Sequence, residues 1–88
     1  MPFAVRLHDD AIKEYAWAQR YAPGHHKKIG ELLAAIAADP FTGIGKPEPL
    51  KYGLHGFWSR RVSKKHRMVY EVGGNSVLVH RCFEHYEQ

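Results

Sequence analysis

At 88 residues, 44% hydrophobic and 25% charged, the chain has a globular composition that excludes disorder. One domain over residues 1–88 is expected, with a thin core, because a chain this short buries only about 60–65% of its extended surface. Thirteen Lys and Arg against nine Asp and Glu give a net charge of +4, which favours an anionic partner such as nucleic acid or an acidic protein segment. No apolar run is long enough to span a bilayer, and the opening residues lack the charge pattern of a secretion signal. The single cysteine, Cys82, cannot form an internal disulfide, so no membrane and a reducing cytoplasm are expected.

Residues 3–7 alternate and are β-prone, which predicts a first strand. Asp9 and Asp10 follow, suited to cap a helix or to occupy its positive first turn. That helix runs to about Tyr21, with Ala11, Tyr15, Ala18 and Ala22 along one side and Ile12 flanking them. Pro23-Gly24 breaks it. A second helix over about residues 26–38 carries Ile29, Leu32, Leu33 and Ile36 at i, i+3, i+4 and i+7, an apolar stripe, and Asp39-Pro40 ends it. Trp17 falls nearly opposite Tyr15, as a partly exposed aromatic that covers a loop or an anchor for a partner or a second copy.

Residues 40–52 form a Pro- and Gly-rich loop in which Pro47 and Pro49 stiffen the backbone around Glu48. Strands follow over residues 56–62, 66–72 and 76–82, and a short extra strand is possible at residues 49–51. A two-residue turn at Gly74-Asn75 pairs Val72 with Val77 and Tyr70 with Val79. Met68, Tyr70, Val72, Val77 and Val79 then share the face that seats both helices. Arg67 falls on the other face beside His80 and Cys82, and is expected to line an open basic surface. The fold class is α+β, in the order β-α-α-β-β-β with an optional further strand: a twisted, mainly antiparallel sheet with two N-terminal-half helices on one face.

The open face gathers ingredients for metal-free cleavage of RNA. Lys46, Lys51, Arg60, Arg61, Lys64, Lys65 and Arg67 crowd one stretch whose single acid is Glu48. If the 2′-hydroxyl attacks its own phosphodiester, the reaction needs a base, a cation for the charge growing on phosphate, and an acid for the departing 5′-oxygen. Glu48 suits the base because it is held on a stiff loop. Arg67 suits the cation because its fork matches phosphate oxygens. His85 suits the acid because imidazole titrates near neutrality, and Tyr86 can hydrogen-bond the phosphate. No cofactor is expected. Cys82, His80 and His85 lack the pairing of a zinc site, and Gly43-x-Gly45-Lys46 lacks the spacing of a phosphate-binding loop.

Four pieces in order, GKPEPLK at residues 45–51, GFWSRR at 56–61, HRMVY at 66–70 and the closing His85-Tyr86, resemble the YoeB/Txe family of bacterial type II toxins, relatives of RelE. The resemblance implies a RelE/YoeB-like fold and a ribosome-dependent mRNA endonuclease that cuts in the A site and is neutralised by a YefM-like antitoxin. It implies that Glu48 is the general base, Arg67 the transition-state cation, His85 the general acid and Tyr86 a phosphate ligand. Lys51 and Arg61 match RNA-contacting positions. Homodimers, and operator DNA bound through the antitoxin complex, are implied as well. The chain departs from the family in Glu84, which precedes the histidine, and in Glu87-Gln88 beyond the His-Tyr pair. Carboxylates beside His85 favour its charged form. The reading from a different class is a non-catalytic nucleic-acid or antitoxin-binding module on the same fold.

Overall fold

The structure, a computed structural model, describes residues 2–85, with the backbone alone at His85. The elements in chain order are β1 (Ala4–Leu7), α1 (Asp9–Tyr21), α2 (Pro23–Ala38), β2 (Glu48–Pro49), β3 (Phe57–Arg61), β4 (His66–Gly73) and β5 (Ser76–His85). One sheet orders the strands β1-β5-β4-β3-β2, parallel between β1 and β5 and antiparallel elsewhere. The expected α+β architecture is therefore present, and the extra strand lies at Glu48–Pro49.

The first helix starts one residue earlier than aspartate capping would place it. His8 is the N-cap, its Nδ1 accepting from the Asp10 N–H at 3.2 Å, and both aspartates fall in the first turn, where the helix dipole favours them. The second helix begins at Pro23, not at residue 26. Proline is tolerated at a first helical position because that N–H has no intrahelical partner. Pro23 thus starts α2, and Ala22 alone separates it from α1.

Ala11 and Ala18 of α1 and Ile29, Leu32 and Ile36 of α2 are fully buried against Met68, Tyr70, Val77 and Val79. The alanines let α1 approach the sheet closely, while Ile12 stays 52% exposed. The predicted hairpin register is observed: Val72 faces Val77 and Tyr70 faces Val79. The turn rests on Gly74 at φ +59°, a conformation that favours glycine.

Beyond Val79 the alternation slips. The β4–β5 register shifts between Arg67 and Val69 and again between Val69 and Tyr70. Cys82, expected on the open face, is therefore turned into the core, where its Sγ donates to the Ala11 carbonyl at 3.6 Å. The physical reason is Glu14 of α1. Its Oε1 accepts the backbone N–H groups of Cys82 (2.7 Å) and Phe83 (3.4 Å), and its Oε2 accepts Arg81 Nη2 (2.8 Å) and Nε (3.2 Å). A helix carboxylate thus supplies the bulged backbone with acceptors. Burial, reinforced by the Glu14 charge, pushes the Cys82 thiol up to about 12. Trp17, 53% exposed, packs against Tyr21 and edge-on against Phe83 of β5.

Candidate active site

Arg60, fully buried, organises the loop that carries Glu48. Its Nε donates to the Tyr70 hydroxyl (3.1 Å), its Nη1 to the Ile44 carbonyl (3.0 Å), and its Nη2 to the carbonyls of Asp39 and Thr42 (both 2.7 Å). The Tyr70 hydroxyl in turn donates to the Pro40 carbonyl at 2.6 Å. An irregular loop has few backbone partners of its own, and one guanidinium provides four donors in a fixed fork. Burial raises the Tyr70 phenol above its usual range, with Arg60 opposing the shift. Hydrogen bonds from the Phe41 N–H and from Thr42 hold Asp39 below the usual carboxylate range.

The same loop closes over Arg67. Arg67 belongs to the sheet face away from the helices, as expected, yet it is only 8% exposed. Its Nε donates to Ser59 Oγ at 2.8 Å, and its Nη2 to the carbonyls of Lys46 (2.8 Å) and Ser59 (3.2 Å). The open surface expected at this position is therefore corrected: residues 45–48 fold across the sheet, and their backbone meets the guanidinium. Lys46 takes φ +50°, uncommon for a non-glycine residue, and its carbonyl is the one Arg67 holds. Gly45 precedes it at φ +83°. A Cβ there would lie 2.7 Å from Leu32 Cδ2, and the Gly45 carbonyl accepts the Arg61 N–H at 2.6 Å.

Glu48 is exposed and lies directly across from Ser59, the residue that orients Arg67. Arg61 lies directly across from Arg67 on the neighbouring strand. Like charges in cross-strand pairs repel, so this pair favours an anion between or above them. Lys46, Lys51, Lys64 and Lys65 are exposed around these positions. Lys51 itself follows β2 and makes no hydrogen bond or ion pair in the structure, among the described residues.

The backbone of His85 pairs with His66, one residue before Arg67. Glu48 and His85 therefore stand on β2 and β5 with β3 and β4 between them, three strand spacings or about 14 Å across the sheet. The register adds an offset of about 10 Å along the strands, since Glu48 is in line with Val69 and His85 with His66. Their side chains would have to converge from either side of Arg67, which stands on β4 between them. The His85 side chain and all of Tyr86 lie outside the described residues, so those two assignments rest on sequence. Glu84, expected to act on His85, has its carboxylate 3.3 Å from Arg81 Nη1, which shares its charge. Cys82 and His80 do not converge, since Cys82 is in the core and His80 Nε2 lies 3.0 Å from Glu71 Oε1.

Sequence reasoning missed Arg60 and Ser59. Adjacent Arg60 and Arg61 look alike in the sequence, but strand alternation assigns them opposite faces once Met68 and Arg67 are their partners.

A mixed sheet with two helices on one face and a basic pair of arginines on the other defines the α+β fold class of RelE- and YoeB-like toxins. A solved YoeB dimer from Staphylococcus aureus superposes with a TM-score of 0.87 at 37% identity, covering 98% of this chain and 100% of that one. The YoeB of a heterotetrameric YoeB–YefM toxin–antitoxin complex from the same organism gives 0.83 at 37% identity, with the same coverage. Among sequences, the Toxin YoeB of Escherichia coli strain K12 is 53% identical over 78 residues, 89% of this chain and 93% of the relative. The family model for the YoeB-like toxin of bacterial type II toxin–antitoxin systems matches residues 7–86. The chain belongs to that family.

Proposed function

We propose that this protein is the toxin of a type II pair and a ribosome-dependent mRNA endoribonuclease, acting as one unit over residues 1–88 in the cytoplasm. The observation that carries this reading is the chain Glu48–Ser59–Arg67: a carboxylate on a stiff loop, across from the serine that orients a buried guanidinium. Glu48 takes the proton of the 2′-hydroxyl as its oxygen bonds to phosphorus. The bond from phosphorus to the 5′-oxygen breaks, and His85 gives that oxygen a proton. Arg67 and Tyr86 hold the phosphate, and Arg61 and Lys51 hold neighbouring RNA. The products are a 2′,3′-cyclic phosphate and a 5′-hydroxyl, and no metal or cofactor enters. Each positioned acid or base contributes about 10²–10⁴-fold, and charge stabilisation adds a comparable factor.

The solved S. aureus YoeB dimer and YoeB–YefM complex support two partners here, a second copy of this chain and a YefM-like antitoxin. Bound antitoxin would neutralise the toxin and carry it to operator DNA. An acidic antitoxin segment that orders on binding suits a basic face.

Induction in a bacterial host is expected to arrest growth and to generate new mRNA 5′-hydroxyl ends at ribosome-occupied sites. Glu48→Gln and His85→Ala should abolish both effects while thermal unfolding stays unchanged. Undiminished ends in both variants would overturn the catalytic assignment. Arrest without any new ends would favour the non-catalytic binding module.

A further inference from the structure

On the sheet face away from the helices, the register arranges residues in rows. Arg61 and Arg67 make one row. Four residues along the same strands, Phe57, Glu71, Leu78 and Arg6 make another that crosses β3, β4, β5 and β1 without a gap. The rows are about 13 Å apart at strand rise, a span of about two nucleotides of extended single strand.

The second row borders a groove of about 260 Å³ whose walls include Arg6, Glu71, Ser76 and Leu78. Sites for drug-sized ligands occupy about 300–1,000 Å³, so this one suits a single planar group. Beside Glu71 three rings adjoin in series: Phe57 is tilted against His80 at 5.1 Å between centroids, and His80 stacks on His8 at 6.0 Å. Glu71 Oε1 takes His80 Nε2 at 3.0 Å, and the Glu71 side chain remains 45% exposed. The proton relay uses none of these groups.

A carboxylate set in a basic face repels phosphate, so the groove does not continue the backbone track. It does accept N–H donors from the edge of a base. The neighbouring rings offer a surface for the face of a base, and exposed Arg6 at the rim can meet the adjoining phosphate. An acidic protein segment would meet the Glu71 charge, so the chemistry favours RNA.

We propose that this groove is a base-recognition subsite for the same RNA strand, about two nucleotides to one side of the cut. It selects guanine, whose adjacent N1–H and N2–H groups both donate to Glu71 while the ring stacks beside His80 and Phe57. The proposal rests on the endoribonuclease reading and adds a specificity residue to it.

The test maps mRNA 5′-hydroxyl ends in cells expressing wild type, Glu71→Ala and Glu71→Gln. A bidentate base contact discriminates by about tenfold, so guanine should be enriched about tenfold at one fixed position near the cut in wild type. Glu71→Ala should lose that enrichment, and Glu71→Gln should move it toward adenine, since an amide donates and accepts. Cutting at guanine sites should fall relative to other sites in Glu71→Ala, while the remaining cuts stay dependent on Glu48. Wild-type cuts with no base preference there, or a preference that survives Glu71→Ala, would overturn the subsite and leave the nuclease reading standing. Absence of any Glu48-dependent ends would overturn both.

Discussion

Replacing Arg60 by methionine keeps most of the buried volume and removes the guanidinium that gathers the carbonyls of Asp39, Thr42 and Ile44. Four hydrogen bonds disappear, to Tyr70 and to the carbonyls of Asp39, Thr42 and Ile44. Bonds to a charged group are worth about 1.5–3 kcal/mol each on deletion. Two effects reduce the total. The variant no longer desolvates a charge, and the exposed residues Thr42 and Ile44 can offer their carbonyls to water. Tyr70 also keeps its bond to Pro40. About 1 kcal/mol for each of the three carbonyls that lose a charged donor gives a net loss of about 3 kcal/mol. For an 88-residue chain that lowers Tm by about 12–24 °C. Circular dichroism melts of purified wild type and Arg60→Met would measure it. Because the loop also carries Lys46 and Glu48, growth arrest at a temperature where the variant is folded should weaken. A Tm within about 4 °C of wild type, with undiminished arrest, would refute the idea that this guanidinium holds the loop.

Three further expectations concern neighbouring contacts. Ser59→Ala removes the acceptor of Arg67 Nε and should slow cleavage of ribosome-bound mRNA by about tenfold or more, at about 1.4 kcal/mol per decade, as read by single-turnover kinetics; an unchanged rate would show that Ser59 does not orient the arginine. Cys82, with its thiol raised from 9.0 to about 12, should resist thiol reagents at pH 8 when folded and react in urea. A raised folded pKa means the folded state keeps its proton after the unfolded thiol has lost one, so stability is full below pH 9 and falls from there toward 12; denaturant melts against pH should show that decline, and Cys82→Ala should flatten it. Glu14→Ala strips the acceptor from Arg81 and from the N–H groups of Cys82 and Phe83, and should cost about 2–4 kcal/mol in urea unfolding. A loss below about 0.5 kcal/mol would mean that water replaces the carboxylate at the bulge.

The readable parts of this chain are those governed by short-range rules. The turn at Gly74-Asn75 and the alternation of β-branched residues fix the Val72–Val77 register locally, because a slip of one residue would expose the whole apolar set. The spacing of Ile29, Leu32 and Ile36 likewise selects the buried side of α2. The illegible parts depend on partners distant in sequence. Cys82 turns inward because Glu14, on a helix at the other end of the chain, accepts the N–H groups of a bulge. Arg67 is buried because the loop before Glu48 folds over it, a contact that alternation within β4 cannot express. Arg60 resembles one more surface cation until the loop's carbonyls are counted and found to need a donor. In the candidate site, residue types were legible from charge and stiffness, whereas the serine between Glu48 and Arg67 was not, since serine carries no distinguishing signal of its own.

Strand β5 lies inside the sheet, between β1 and β4, although it is made after both. During synthesis the first strand therefore waits without a hydrogen-bonding neighbour, and the helices have only part of their platform, until residues beyond 76 leave the ribosome. Ordering of the Arg67 row against Glu84 must come later still. A nascent chain of this topology therefore holds its first strand and its Arg67 row unfinished until the inserted strand β5 arrives to join them.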